Sequence, residues 1–271
     1  MNLLHAVILG LVEGLTEFLP VSSTGHLILS SKALGVVSSG AFEVVIQAGA
    51  ILAVIWHYRV KFFESISGFL KREPTSLRFW TLILVAFLPA AILGLSLGSL
   101  IKTYLFGPTP VIIALIVGGI VMILIERRLR RPQGEPGKEI EEKDFPSTYR
   151  EAFLIGCMQC FALWPGTSRS MSTILGARLL GFSPRGAAAF SFWLAIPTLL
   201  AASSYDALKH RNELFASSEM MGALLVGTVL SFVSGLIVIR AFLGYLQKNS
   251  LEVFGWYRIV FGLICWAILL S

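Results

Sequence analysis

The sequence predicts an all-α polytopic membrane protein made of two inverted repeats, each a broken, re-entrant helix hairpin followed by three transmembrane helices. Three observations carry that reading. Of the 271 residues 55% are hydrophobic and only 14% charged, with a mean hydropathy of +0.78, more apolar surface than a water-soluble domain can hide. The apolar residues fall into blocks close to the ~20 residues that a bilayer-spanning helix needs. Two of the blocks, 3–35 and 149–181, are interrupted midway by the related motifs PVSSTG and PGTSRS.

The first block holds the polar centre of the chain, EGLTEFLPVSSTGH from Glu13 to His26. Glu13 and Glu17 are four apart and share one helix face. Pro20 ends or kinks that helix. Ser22, Ser23 and Thr24 are good N-cap residues for a second helix, whose free N–H groups attract anions, and His26 then falls in its first turn. An acid near a helix end can simply snorkel to the interface, and hydroxyls can simply satisfy a broken backbone. An ionisable residue at the bilayer centre costs about 2.5–3.5 kcal/mol, however, so two on one face point to catalysis or ion binding.

Full spans follow at approximately 41–58, 77–96 and 110–128, and again at 185–203, 219–240 and 253–271. Irregular backbone at membrane depth is tolerated only where protein buries it or it lines a cavity, so the two hairpin breaks should face each other or a pocket. Setting Ile8–Thr24 against Leu154–Arg169 pairs Gly10 with Gly156 and Glu13 with Gln159. After a one-residue gap Pro20 falls on Pro165, Ser22 on Thr167, Ser23 on Ser168 and Thr24 on Arg169. The chain thus divides into repeat 1 (about 1–128), a linker (about 129–148) and repeat 2 (about 149–271) within one membrane domain.

A same-side hairpin adds no net crossing, and three spans make an odd number, so the second repeat is expected upside down. Lys and Arg distribution agrees. One side collects Arg59, Lys61, Lys71, Arg72, Arg78, the linker cations, Arg178, Arg185, Arg240, Lys248 and Arg258, while the other holds Lys32, Lys102, Lys209 and Arg211. By the positive-inside rule the rich side is cytoplasmic, both termini lie outside and the first hairpin opens outward. Hairpins that span fully give the same side assignments. The net charge of +6 belongs to this asymmetry and does not indicate nucleic-acid binding. The opening segment lacks a basic n-region and is not expected to be a standard signal peptide. The segment Glu126–Arg150, with mixed charge and no apolar periodicity, reads as a solvated loop. Cys157 and Cys160 form a CxxC with no second ligand pair, and with Cys265 are assigned to packing. His5, His57 and His210 are assigned to interfaces or packing.

In the second break Gln159 and Leu163 stand near the positions of Glu13 and Glu17, and Arg169 is gained. Ser168, Arg169 and Ser170, following Pro165 and Gly166, offer hydroxyls, a guanidinium and helix-start N–H groups for a phosphate. Arg169 can equally neutralise Glu13 or Glu17, and the two roles are compatible.

EGLTEFLPVSSTGH together with the later LWPGTSRS closely resembles the bacterial undecaprenyl-diphosphate phosphatase family, also called bacitracin-resistance proteins, over nearly the whole chain. The resemblance implies removal of one phosphate from a C55 isoprenoid diphosphate, recycling the carrier for cell-wall synthesis. It also implies a bacterial inner-membrane location, a divalent cation and a site reached from the periplasm. Its first motif falls on Glu13, Glu17, Ser22, Ser23, Thr24 and His26, and its second on Pro165, Gly166, Ser168, Arg169 and Ser170. Thr167 lies within that second stretch and is grouped with the phosphate ligands. One position departs: Met171 stands where the family pattern has a small residue, often Gly.

A diphosphate cannot sit beside two unscreened carboxylates, so oxygen ligands from Glu13 and Glu17 suit Mg²⁺ or Ca²⁺. Arg169 is expected to neutralise the transferred phosphoryl group, His26 to act as base or acid, and Ser23 either to attack phosphorus or to orient water. The expected partners are a polyprenyl diphosphate and membrane lipids; monomer and homodimer both stay open. The competing class is a transporter or flippase of a polyprenyl phosphate, because broken helices in inverted repeats also build transporters. A purely structural membrane subunit leaves the buried polar set unexplained.

Overall fold

The computed structural model describes residues 2–36, 40–129 and 143–269, and among these the regular elements are all helices. Helix α1 (Leu3–Thr16) stops one residue before Glu17 and four before Pro20, and α2 is Ser23–Ala33. Helix α3 (Ala41–His57) turns by 85° into α4 (Arg59–Leu70). Two long helices follow, α5 (Pro74–Leu105) and α6 (Pro108–Leu129). The second half opens with α7 (Tyr149–Gln159), a 3-10 turn (Cys160–Leu163) and α8 (Arg169–Leu179). It continues with α9 (Pro184–Lys209), the short α10 (Arg211–Leu214), α11 (Ser218–Tyr245) and α12 (Glu252–Leu269).

Length separates hairpins from spans. At about 1.5 Å per residue, the 14 residues of α1 and the 11 of α2, α7 and α8 fall well short of a hydrocarbon core of roughly 30 Å. Both interrupted blocks are therefore hairpins that turn inside the protein, as expected. Four helices, α5, α6, α9 and α11, are long and apolar enough to cross a membrane, and the bent pair α3–α4 makes a fifth. The linker core, residues 130–142, lies outside the described residues.

Several helix pairs have a counterpart in the other half of the chain, while others, such as α8 with α9 and α1 with α3, have none of similar extent. Helix α1 packs on α11 as α7 packs on α5, α3 crosses α9, and α6 lies along α12. Without a hydrophobic force between helices in lipid, close approach depends on small residues. At the α1–α11 crossing a Cβ on Gly10 would lie 2.5 Å from the Gly227 carbonyl oxygen. Helix α9 is the central post, with Phe190, Phe192, Trp193 and Leu194 buried.

The helix starts follow their caps. Ser22 and Ser168 precede α2 and α8, each with a left-handed φ (71° and 79°). Each side-chain oxygen accepts from the N–H three residues on, Gly25 at 3.3 Å and Met171 at 3.2 Å. Ser22 and Ser168 thus hold the same cap position, one residue off the proline-based alignment that sets Ser22 on Thr167. Met171 is an ordinary buried helical residue, and the positive φ nearby belongs to Gly166 (95°) and Ser168. One correction concerns Arg258, placed with the charge-rich face from its sequence position. It is fully buried and leaves the asymmetry otherwise intact.

Candidate active site

The two breaks meet. Arg169, the first residue of α8, sets its Nη2 2.7 Å from Glu17 Oε1, and Ser23, the first residue of α2, donates its hydroxyl to Glu17 Oε2 at 2.5 Å. The two residues that the cap geometry makes equivalent thus hold the two oxygens of one carboxylate. Arg169 Nη1 also donates to the Ser191 carbonyl and hydroxyl of α9, at 3.0 and 3.3 Å, and its Nε is buried without a partner. Ser170 donates its hydroxyl to the Leu19 carbonyl at 2.8 Å and lies 2.9 Å from the Ser168 hydroxyl. Since Ser170 gives its proton to Leu19, Ser168 is the donor in that pair.

This cluster lines a cavity of about 610 Å³. Glu17, Ser22, Ser23, Thr24, Gly166, Ser168 and Arg169 line it, and its walls continue along the small and apolar residues Ala90, Ala91, Gly94 and Gly98 of α5. Gln159 is 1% exposed and also lines the cavity. Its Oε1 accepts from Thr198 at 3.3 Å, and its Nε2 has no partner. The caps take up the third N–H of each helix and leave the first two without an intrahelical acceptor, at helix starts whose residues Ser23, Thr24 and Arg169 line the cavity.

Glu13 lies one turn before Glu17 and is completely buried. Neither of its oxygens meets a hydrogen-bond donor among the described residues, and the charged groups that act on it are Glu17, Arg169 and Glu43. Thr167 is not part of the cavity wall; its N–H donates to the Trp164 carbonyl at 3.1 Å.

His26 points elsewhere. Its Nδ1 lies 2.8 Å from the Ser22 carbonyl, which can only accept, so Nδ1 carries the proton and Nε2 accepts from the Tyr257 hydroxyl at 2.7 Å. The ring stacks on Phe261 with centroids 4.0 Å apart. Ser23 and His26 make no hydrogen bond to each other, and the acceptor that Ser23 meets is Glu17. Residues absent from the sequence reading complete the setting: Ser191 beneath Arg169, Tyr257 and Phe261 around His26, and Arg258. Ser191 carries no signal within FSFWLAIP, whereas a Tyr–Arg pair six residues into an apolar span is a visible anomaly.

Comparison with known proteins places the chain among related sequences. "Undecaprenyl-diphosphatase 2" of Rhodospirillum rubrum is 49% identical over 265 residues, covering 97% of this chain and 93% of that protein. "Undecaprenyl-diphosphatase" of Sorangium cellulosum is 50% identical, covering 96% and 85%, and that of Nitrosomonas europaea 48%, covering 97% and 93%. Residues 6–264 match the family described as bacitracin resistance protein BacA. A match across both hairpins and the helices that join them leaves one assignment: this chain is a member of the BacA family.

Proposed function

We propose that this protein hydrolyses undecaprenyl diphosphate to undecaprenyl phosphate and inorganic phosphate, returning the lipid carrier to cell-wall synthesis and giving resistance to bacitracin. The observation that carries the reading is the Glu17–Arg169–Ser23 cluster, charged and hydroxylic, in a cavity that also runs along the small and apolar residues Ala90, Ala91, Gly94, Leu95 and Leu163. That shape suits a substrate with a diphosphate head and an isoprenoid tail. The names of relatives such as those of R. rubrum and S. cellulosum supply the specific substrate.

Phosphoryl transfer is mainly a matter of positioning and of stabilising charge. Arg169, with an unused Nε and its Nη2 already in the site, binds the phosphoryl oxygens, helped by the first-turn amides of α2 and α8, by Ser22, Thr24 and Ser168, and by the Gly166 turn. Ser170 and Thr167 act through the backbone of the breaks. The Ser23 hydroxyl points its proton at Glu17 Oε2, so Ser23 attacks the terminal phosphorus, Glu17 takes the proton, and the bridging P–O bond breaks to release the lipid monophosphate. Water then hydrolyses the phosphoserine. Direct attack by water, with Ser23 as a phosphate ligand, is the second reading, and rapid-quench trapping of phosphoserine decides between them. His26, held through both ring nitrogens, orients the Ser22 carbonyl and the start of α2.

A divalent cation, Mg²⁺ or Ca²⁺, fits one feature of this chain. Glu13 is a buried carboxylate without a donor, beside a second carboxylate. Among the described residues no group of three or more His, Cys, Asp or Glu gathers as a ready-made cage, so Glu13 and Glu17 would hold the ion with substrate oxygens and water. When bound, such an ion neutralises charge on the diphosphate.

We further propose inverted repeats in a bacterial inner membrane, with the cation-rich face cytoplasmic and the site open to the periplasm. The cavity is lined by Gly98 and Ser99 near the end of α5 and by Tyr205 and Lys209 near the end of α9, the ends that carry the few outer cations. The transporter reading is tested by the same assay. Phosphate release from undecaprenyl diphosphate by purified protein in detergent, where nothing can be moved across a membrane, supports the phosphatase; well-folded protein that releases none refutes it.

A further inference from the structure

Arg258 is fully buried on α12, and among the described residues no carboxylate pairs with it. Its guanidinium instead donates to four main-chain carbonyls. Nε reaches Leu115 at 3.3 Å and Nη2 reaches Ala114 at 3.0 Å, both on α6. Nη1 reaches Pro20 at 3.3 Å and Nη2 also reaches Gly166 at 2.8 Å, one carbonyl from each hairpin break. Room for the group is made at Gly118 of α6, where a Cβ would run into Nη2.

The positions of those last two carbonyls are the informative part. Pro20 lies three residues before Ser23, and Gly166 lies three residues before Arg169, the two side chains that grip Glu17. Between anchor and functional residue, each segment passes through a serine held at a left-handed φ, Ser22 or Ser168. Such conformations persist only where the surroundings over-determine them. One rigid, planar fork spans both segments at equivalent points, which a lysine ammonium, a single point donor on a flexible stem, cannot do.

We propose that Arg258 is a positioning residue for phosphoryl transfer: by fixing the Pro20 and Gly166 carbonyls relative to each other, it sets the separation at which Ser23 and Arg169 both address Glu17 and the transferring phosphate. The inference rests on the phosphatase reading for its kinetic part, and its geometric part is tested independently. A residue that merely satisfies carbonyls freed at broken helices contributes to stability and leaves the turnover of folded protein alone.

The test uses Arg258→Lys and Arg258→Gln in full-length purified protein, with phosphate release from undecaprenyl diphosphate and thermal unfolding measured on the same samples. Arg258→Lys keeps the charge and is the variant expected to fold. It should lose about 30- to 100-fold in kcat while KM stays within about threefold, the pattern of an interaction realised in the transition state. Spin labels at the exposed Leu15 and Phe161, one beside each break, should give a narrow distance distribution in the parent and a broadened one in Arg258→Lys. Parental kcat in folded Arg258→Lys, or an unchanged distance distribution, overturns the proposal. A parent that releases no phosphate yet shows the broadening refutes the phosphatase reading and leaves the coupling of the breaks standing.

Discussion

Replacing Arg169 with Met removes the cation that both halves of the site share. The pair with Glu17 spans 2.7 Å, with the side chains only 10% and 5% exposed, so the substitution strands a buried carboxylate beside the already donor-less Glu13. Removing one partner of a buried ion pair costs about 3–5 kcal/mol. For a chain of this size that corresponds to a fall in Tm of about 6–20 °C. The remedy distinguishes this cause from lost packing. Glu17→Gln combined with Arg169→Met removes the stranded charge, so the double variant should melt above Arg169→Met alone, with a coupling of at least about 1 kcal/mol in the double-mutant cycle. Catalysis should not recover. Loss of the guanidinium is expected to lower kcat/KM at least about 10³-fold, equivalent to about 4 kcal/mol of transition-state stabilisation, in the single and double variants alike. The assays are differential scanning in detergent and phosphate release. A Tm for Arg169→Met matching the parent, or a double variant that shows only the sum of the single shifts, refutes the ion-pair argument.

Gly166→Ala should lower Tm by about 2–12 °C, because the position has a φ of 95° that costs about 1–3 kcal/mol for a non-glycine residue and its Cβ would meet the Val111 carbonyl; an unshifted melt contradicts this. Tyr257→Phe keeps the ring stack but leaves His26 Nε2 without its 2.7 Å donor, a loss of about 1–3 kcal/mol measurable by thermal unfolding, and a variant as stable as the parent shows that the hydroxyl does not hold the ring. Chelation should stop phosphate release and Mg²⁺ should restore it, with Glu13→Gln requiring about tenfold or more Mg²⁺ than the parent; an equal Mg²⁺ requirement removes Glu13 from the ion. On the cation-rich face, partial burial raises the Glu151 pKa, but Lys143 and donors from Ser147 and Thr148 outweigh it and bring it down to about 2. Because the folded value lies below the unfolded one of about 4.3, the stabilisation is present above that pH and is lost as the pH falls toward about 2. Glu151→Gln should therefore flatten the dependence of Tm on pH within that acid window, and a slope equal to the parent's rules out the linkage.

Much of the architecture was legible because it depends on local chemistry. Both hairpins, their breaks and the serine-led starts of α2 and α8 follow from proline, cap residues and segment length. The meeting of the breaks followed from the rule that irregular backbone at membrane depth needs a partner, and Glu17, Ser23 and Arg169 came together as that rule required. The shared cap lies one residue off the proline-based alignment because Pro20 stands two residues before its cap and Pro165 three before Ser168. Prolines break a helix at several offsets, whereas the capping hydroxyl has one place. The surroundings of His26 lie beyond local pattern, because its ring meets Tyr257, 231 residues away. Arg258 counts with the charge-rich face by its place in the chain, yet it is buried, donating among others to carbonyls freed at breaks 238 and 92 residues away in sequence. Partners at such separations leave no trace in local pattern.

The central claim is that the cluster around Glu17 hydrolyses a polyprenyl diphosphate, and ³¹P NMR of undecaprenyl diphosphate incubated in detergent with the parent and with Glu17→Gln tests it most directly. The account predicts one inorganic phosphate for each lipid monophosphate formed by the parent, and neither product from a Glu17→Gln variant whose melting shows it to be folded. Equal turnover by the folded variant, or intact diphosphate after incubation with the folded parent, contradicts it.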